Sequence, residues 1–339
     1  MRVHATARKF ILGLTPCLAA LLILAACTPT TTPQLPVTPL LPEPPAEPTP
    51  PQAFYLTQAG GWRLPDDHPV GRKPSLDGIV QIEGLGDFAF SPAEVETTRP
   101  DIFAEGHFSV FDVVAHLGNK GWFPLKYHYN ARLDTHVIDE LDGRMNWWYR
   151  TRCPGGWTET NVFRMDMAPY RDGMTVTLHP QPEEYMGRIY SSFAEELLRK
   201  SVNLGRVIIP EVRIGTAVYT NVPVSAHDFR DDLLRPGTVT ALDVLLSLAD
   251  QGKLDQLKVT WYSDLGGVEP ADSLRVEQID DGDDLYDAEA SEDSGFWVYE
   301  TGSVEFSSFK GSNIRIPADQ RVIVSPEYMT WYWLGSRTW

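Results

Sequence analysis

One pattern of apolar and polar positions occurs twice in the chain. Residues 109–114 read Ser-Val-Phe-Asp-Val-Val, and residues 240–245 read Thr-Ala-Leu-Asp-Val-Leu. In both copies the apolar residues recur at helical spacing, and an aspartate follows the opening hydroxyl residue by three positions, which is close to a capping box. The pattern predicts two amphipathic helices. We expect them to end at Gly121 and Gly252, because glycine readily takes the left-handed conformation that follows a helix.

A matching series of strand segments surrounds each predicted helix. Alternating apolar and polar residues before an Asp-Gly pair predict a half-buried strand and a tight turn. An aromatic segment and a β-branched run then follow in both copies. The strand segments are 78–82, 125–129, 147–150 and 174–178 in the first copy, and 207–218, 257–261, 296–299 and 321–324 in the second, with turns at 142–143 and 281–282.

The order of these elements predicts an α+β fold. One helix packed across a mixed sheet buries the apolar face of both. We therefore predict two tandem β-grasp-like domains at residues 78–180 and 206–330, joined by a connecting helix within 181–205. Residues 52–77 are an N-terminal arm. Residues 331–339 are an aromatic tail that either adds a last strand against a neighbour or exposes an adhesive patch.

This ordered set resembles the transcobalamin-like C-terminal domain family. The resemblance lies in the two helix starts, the two aromatic strands, and the Pro-x-x-Asp-Gly-type turn at Pro169–Gly173, which lacks its glycine at Pro317–Gln320. In that family the domain closes over one face of a corrinoid, and a separate helical barrel supplies the other face. This sequence has no room for such a barrel, so the resemblance implies the fold more strongly than the ligand.

The N-terminal residues predict an export signal and a lipid anchor. Residues 1–26 combine a basic start, an uncharged apolar run and small residues before Cys27, which is typical of a cleaved signal. The Leu-Ala-Ala-Cys tetrad resembles the bacterial lipobox, which implies acylation of Cys27 and attachment to the outer face of a membrane. The alternative is an ordinary cleaved signal with an incidental cysteine. Residues 27–51 are rich in proline and threonine and predict a disordered stalk.

Charge and motif content narrow the function further. The formal net charge of −17 repels phosphate backbones, so we expect no nucleic-acid partner. No nucleophile elbow, zinc-protease motif or phosphate-binding loop is present, and we therefore predict no catalytic activity and no cofactor. Cys153 is the one cysteine beyond the lipobox, so the head forms no internal disulfide. It has no evident activating neighbour.

Aromatic strand residues are the candidate ligand-binding groups. Neighbouring residues on a strand point to opposite faces, so one residue of each aromatic pair is expected to face outward. Outward rings would form a stacking platform for a sugar or a flat ring, and an adjacent arginine would neutralise an anionic group. The alternative is that all of them pack in the core. The candidates are Trp147, Trp148, Tyr149, Arg150, Trp157, Phe296, Trp297 and Tyr299.

Metal-binding signals are weak. The acidic segment 280–293 offers oxygen ligands for Ca²⁺ at Asp281, Asp283, Asp284 and Asp287, but the spacing does not match an EF-hand. The alternative is a solvated loop. His116, His128 and His136 lack the spacing of paired metal ligands.

The sequence favours two functions over a third and least favoured one, an enzyme that uses two carboxylates. The first is a membrane-anchored, extracytoplasmic, non-catalytic module that binds a small molecule, such as a corrinoid, or a glycan. The alternative is a structural or assembly protein that docks another protein of the cell envelope.

Overall fold

The computed structural model describes residues 50–152, 158–160, 163–265, 269–280, 286–287, 295–304, 311–312 and 316–335. Residues Glu47–Trp339 form one compact unit with an α+β fold. Its helices are α1 (Val110–Asn119), α2 (Glu183–Val202) and α3 (Ala241–Asp250). Within the described ranges, none of the helices is long and apolar enough to cross a membrane.

Strand β1 (Gln52–Thr57) belongs to the N-terminal arm. The other strands before α2 form one mixed sheet and one hairpin in the first half of the unit, residues 78–180. They are β2 (Gly78–Ile82), β3 (Gly86–Phe90), β4 (Leu125–Asn130), β5 (Thr135–Leu141), β6 (Trp147–Arg152), β7 (Thr158–Thr160) and β8 (Thr175–Pro180). The sheet has the order β3-β2-β8-β6-β7, with β2 parallel to β8. Strands β4 and β5 pair with each other.

The strands after α2 repeat this order in the second half, residues 207–335. They are β9 (Val207–Ile214), β10 (Ala217–Val224), β11 (Gln256–Leu265), β12 (Glu269–Asp280), β13 (Tyr286–Asp287), β14 (Gly295–Gly302), β15 (Gly311–Ser312) and β16 (Tyr328–Gly335). The sheet has the order β10-β9-β16-β14-β15, with β9 parallel to β16. The β11–β12 hairpin also pairs with β13 and, on its other edge, with β1 from the N-terminal arm.

Both predicted amphipathic helices are confirmed, together with their capping. The Ser109 hydroxyl accepts a hydrogen bond from the Asp112 amide at 3.1 Å, and Asp112 accepts one from the Ser109 amide at 2.7 Å. Asp243 likewise accepts from the Thr240 amide at 2.6 Å. The chain leaves α1 at Gly121, which has a left-handed φ of 78° that a side chain would strain. The capping residues and the glycine therefore fix where these helices begin and end.

Each half has its own apolar core. Phe111, Val114 and Leu117 of α1 pack in the first core, and Leu242, Leu245 and Leu248 of α3 pack in the second, as the helical spacing predicted. The helix predicted within 181–205 is also present, as α2, and it contributes Met186, Ile189 and Phe193 to the first core. On the second face of the first sheet, α2 packs against Trp148, while Ile79 and Arg150 stay exposed.

The last strand of the second half differs from the prediction. Residues 321–324 were expected to form it, but they contribute only an isolated bridge between Thr240 and Val322. The strand is β16, which lies at the centre of its sheet between β9 and β14. Residues 331–335 therefore continue this strand across the predicted boundary at residue 330, and the strand is one of the two alternatives for the aromatic tail. Trp331 is 1% exposed, so burial of the aromatic residues decided the pairing.

The segment predicted as one strand at 207–218 is two strands. Gly215, with φ 55°, interrupts it, and β9 and β10 pair as a hairpin around that turn. The turn predicted at residues 142–143 is confirmed, with φ of 49° at Asp142 and 74° at Gly143. The corresponding turn at residues 281–282 lies outside the described residues.

We expect the substitution Trp331→Ala to destabilise the protein by about 3–5 kcal/mol, because it empties a buried site in the centre of a sheet. Trp122→Ala is the matched control, since that indole is 59% exposed and should cost about 0.5 kcal/mol or less. Urea unfolding followed by far-UV circular dichroism measures both. Equal midpoints for the two variants would contradict the placement of Trp331 in the core.

Candidate functional site

The aromatic candidates of the first half are buried. Trp147, Trp148 and Tyr149 are 2%, 4% and 0% exposed. The ring of Trp148 lies 6.2 Å from that of Phe193, so α2 covers the face of β6 that was expected to meet solvent. The prediction that one of the two tryptophans faces outward is wrong, because it assumed that a helix packs on only one face of the sheet. Arg150 is exposed.

The aromatic candidates of the second half also pack inside. Trp297 and Tyr299 are 5% and 4% exposed. The Tyr299 hydroxyl donates to the carbonyl of Ile316 at 2.7 Å, just as that of Tyr149 donates to the carbonyl of Phe163 at 2.9 Å. These tyrosines therefore hold the segment before the last strand of each half. They present no ring face to a ligand.

Several predicted positions fall outside what the structure describes. These are the lipidation site Cys27, the ligand candidate Trp157, the side chain of Phe296, the free thiol of Cys153, and the Ca²⁺ candidates Asp281, Asp283 and Asp284 with the side chain of Asp287. Among the described residues no group of three or more histidine, cysteine or acidic side chains is arranged to hold a metal ion.

The predicted histidines are separated from one another. His128 lies 2.9 Å from Asp139, and His136 lies 2.9 Å from Asp166. His116 lies 3.8 Å from Glu94. A carboxylate thus orients the rings of His128 and His136, whereas Nε2 of His116 has no hydrogen-bond partner among the described residues, and the three do not assemble a shared site.

A buried ion cluster that was not predicted from the sequence lies beside α1. Arg99 contacts Asp101 at 2.8 Å and Asp166 at 3.3 Å, and Asp166 is fully buried. Thr135 and the amide of His136 also donate to Asp166 at 2.6 and 2.9 Å. Burial alone would raise the pKa of Asp166, but the hydrogen bond with the His136 imidazole, these two donors and the charge of Arg99 outweigh it and lower that pKa.

The second half contains the same cluster. Arg230 contacts Asp232 at 2.8 Å and Asp319 at 2.6 Å, and the amide of Leu274 donates to Asp319 at 3.0 Å. Here burial dominates and raises the pKa of Asp319, against the charge of Arg230. The contrast with the first half has a local cause, since Oδ1 of Asp319 has no hydrogen-bond partner in the described structure.

The two clusters lie where the halves meet. Phe103 and Leu234 form an antiparallel bridge, in which the Ala104 amide donates to the Leu233 carbonyl at 3.0 Å and the Arg235 amide donates to the Ile102 carbonyl at 2.8 Å. Because these two hydrogen bonds join equivalent positions of the repeat, a local two-fold axis relates the two segments. Apolar side chains from both halves complete the junction: Ile102, Phe103, Met167, Leu233, Leu234, Val322 and Val324.

A sequence signal for these clusters was present. The order Arg-x-Asp, then Gly, then Ser or Thr, then Asp occurs twice at identical spacing. Its positions are Arg99, Asp101, Gly106, Ser109 and Asp112 in the first half and Arg230, Asp232, Gly237, Thr240 and Asp243 in the second. The repeat identified from the helices therefore begins ten residues before each helix cap.

The N-terminal arm runs over the junction and contacts both halves. The Gly71 amide donates to Asp232 at 2.6 Å, and Arg72 contacts Asp272 at 2.7 Å. Further along, the Ser75 amide donates to Asp172 of the first half at 2.9 Å. Position 71 requires glycine because a Cβ there would lie 2.7 Å from a guanidinium nitrogen of Arg230.

The cavities that the described residues line at and beside the junction are small. One of about 70 Å³ lies beneath the arm and is bordered by His107, Arg230 and Asp272, and three others measure about 10–20 Å³. Pockets for drug-sized ligands enclose about 300–1,000 Å³. These cavities therefore have room for water but not for a corrinoid or a sugar ring.

The outer edge of β4 is open. In the part of the chain that the structure describes, β4 pairs with β5 alone. Tyr129 near its end is 48% exposed, and Trp122, three residues before it begins, is 59% exposed. The Lys126 side chain between them is 69% exposed. An unpaired strand edge flanked by large apolar side chains is a surface on which another chain can dock.

The equivalent edge in the second half is occupied. Strand β11 corresponds to β4, and β1 pairs with it from Gln52 opposite Trp261 to Thr57 opposite Gln256. Phe54 and Leu56 of β1 enter the second core and are 6% and 2% exposed. The two halves thus differ in the cover on this edge.

No known protein-family model, curated protein or solved structure matches the chain. The function therefore has to be inferred from the sequence and the geometry.

We expect Asp319→Ala to destabilise the protein by about 3–5 kcal/mol, since it leaves the Arg230 guanidinium buried without its carboxylate. The control is Asp231→Ala, at an exposed neighbouring position, which should change stability by about 0.5 kcal/mol or less. Chemical unfolding monitored by tryptophan fluorescence distinguishes the two. A loss no larger than that of the control would contradict a structural role for the pair.

Stability should fall as the pH is lowered from about 6.5 to about 4. Burial, with the charges of Arg230 and Lys73, lowers the pKa of His107 from 6.5 to about 4 despite Asp232. In this pH range His107 is therefore protonated in the unfolded chain but remains neutral in the folded chain. This difference lowers the free energy of unfolding by up to about 2–3 kcal/mol. His107→Gln should remove this part of the pH dependence, whereas substitution of the exposed His128 should not. Parallel pH profiles of wild type and His107→Gln would refute this role.

Proposed function

We propose that this protein is a lipid-anchored, extracytoplasmic docking protein of the cell envelope, without catalytic activity. The N-terminal residues support the anchor: a signal-like segment ends in a lipobox-like tetrad at Cys27, and a proline-rich stalk follows. An acylated Cys27 would hold the head at the outer face of the membrane, and the stalk would give it reach.

The head is proposed to consist of two tandem β-grasp-like domains. Each half contains a hairpin, a helix, a second hairpin and returning strands, and the first strand of each runs parallel to the last. This is the arrangement expected from the resemblance to the transcobalamin-like C-terminal domain family. The closely packed junction between the halves favours a single rigid head over a clamp that opens around a ligand.

The open edge of β4 is the observation that carries the docking function. Exposed Trp122 and Tyr129 flank it, whereas the ligand candidates Trp147, Trp148, Tyr149, Trp297 and Tyr299, whose side chains the structure describes, are buried. A protein surface is recognised through such exposed apolar and backbone groups, while a corrinoid or glycan needs a concave site. The geometry therefore favours the assembly alternative over small-molecule binding.

The proposal is tested in native membranes with a photo-crosslinking amino acid at Tyr129. We expect one protein adduct of defined mass from this position and none from Ile79, which is 45% exposed on the first sheet and serves as the matched control. Cys27→Ser should release the chain from the membrane fraction and reduce the adduct yield.

Two results would overturn the docking function. The first is the absence of any protein adduct from Tyr129 and Trp122. The second is a saturable rise in Tm with a corrinoid or an oligosaccharide, because a ligand that binds only the folded state stabilises it by mass action.

A further inference from the structure

We infer that the outer edge of β4 binds an extended segment of a partner protein. This segment contains an aromatic residue with an apolar residue directly before it and another directly after it. The segment adds to β4 as an antiparallel strand. This inference rests on the proposed docking function and names the chemistry of the partner at the same edge.

Strands β4 and β11 correspond in register, although Lys126 contacts the opposite Glu140 at 3.0 Å whereas Lys258 lies opposite Gln278. Both hairpins have a register shift at the same place, between Lys126 and Tyr127 in β4 and between Lys258 and Val259 in β11. The ends of the two strands are equivalent as well. Arg99 lies 5.7 Å from the ring centre of Tyr129 on β4, and Arg230 lies 5.2 Å from that of Trp261 on β11.

Strand β1 shows what this kind of edge accepts. Phe54 lies opposite Val259 and Leu56 opposite Leu257, and both enter the core. Between them Tyr55 lies opposite Lys258, with the ammonium nitrogen 5.4 Å from the ring centre. This is the distance of a cation–π contact.

The same register can be transferred to β4. The aromatic residue of the partner would then lie opposite Lys126, and its apolar neighbours would lie opposite Leu125 and Tyr127. Main-chain hydrogen bonds supply affinity in such strand addition, and the alternate side chains supply specificity.

The lysine and the bulge do not protect this edge. Charged side chains and bulges commonly prevent strand addition at exposed edges. However, β11 has the same lysine and the same bulge, and β1 nevertheless pairs with it continuously from Gln52 to Thr57.

The cover supplied by the N-terminal arm is missing from the first half. Lys258 is 4% exposed beneath β1, whereas the Lys126 side chain is 69% exposed. Similarly, the Asp232 side chain, which accepts the Gly71 amide, is 11% exposed, whereas that of Asp101 is 61% exposed. The first half therefore leaves open the surfaces that the arm covers in the second.

The chain does not supply this strand from its own β1. That strand is held on β11 within the same chain, at a high effective concentration. If a second copy donated its β1 to β4, its own β11 would be uncovered, and the number of open edges would not change. A strand from another protein removes an open edge without creating one.

The test uses the full-length chain in detergent, with a synthetic peptide of residues 51–58 as the probe. A fluorescent form of the peptide should bind saturably by anisotropy. Its Tyr55→Ala form should bind about three- to tenfold more weakly, because the cation–π contact with Lys126 is lost. N-methylation of alternate peptide amides should abolish binding, since it removes backbone donors and leaves the side chains in place.

A cross-strand disulfide tests the register. In a Cys153→Ser background, protein His128→Cys should form a mixed disulfide with peptide Ala53→Cys, because Ala53 lies opposite Thr260, the equivalent of His128. Peptide Thr57→Cys should form the disulfide with protein His128→Cys at least about tenfold more slowly, because Thr57 would lie near the opposite end of β4 from His128.

Three outcomes would overturn the inference. The first is that the peptide shows no saturable binding, and the second is that the N-methylated peptide binds equally well. The third is that the chain is already a dimer which the peptide dissociates, because a second copy would then occupy the edge. If the peptide fails while the Tyr129 crosslink to a protein persists, the docking function stands and only strand addition is wrong.

Discussion

The buried pair of an arginine and an aspartate is the contact on which each half depends. In the first half the Asp166 carboxylate receives hydrogen bonds from Arg99, Thr135 and the amide of His136. It thereby joins the segment before the helix, the second hairpin and the segment before the last strand. Asp319 joins the same three segments in the second half. A buried carboxylate is costly unless it is paired, so the arrangement fixes these segments relative to one another.

The same contact places the two halves against each other. The arginines begin short segments that cross at Phe103 and Leu234, and the N-terminal arm closes over Asp232. The space between the halves is consequently filled by apolar side chains and by the arm. A head built in this way offers its edges and outer faces for recognition, because its interior surfaces are already in contact.

The asymmetry of the N-terminal arm makes two equivalent hairpin edges differ, since β1 pairs with β11 and no described strand pairs with the outer edge of β4. Strand β1 completes the β11–β12 hairpin, and the arm then crosses toward the first half without covering β4. Two hairpins with the same bulge and the same lysine are thus in different environments. The difference between them comes from one short segment outside the repeat.

The sequence by itself determined the helices and most of the strands. Capping residues such as Ser109 and Asp112, the helical spacing of Phe111 and Leu117, and the alternation in β4 and β11 are local signals with local physical causes. The α+β class follows from their order. The paired Arg-x-Asp positions were also readable as a repeat, although their partners Asp166 and Asp319 were not.

Only the tertiary structure decided which faces are exposed and which strands are neighbours. Trp148 is buried because α2 folds back onto the second face of its sheet, and residues 328–335 form a central strand because their aromatic side chains fill the second core. Strand β1 covers β11 and leaves β4 open, although the two edges share a pattern. The period of a strand shows that alternate side chains point to opposite faces, but what packs on each face depends on contacts between segments distant in the chain.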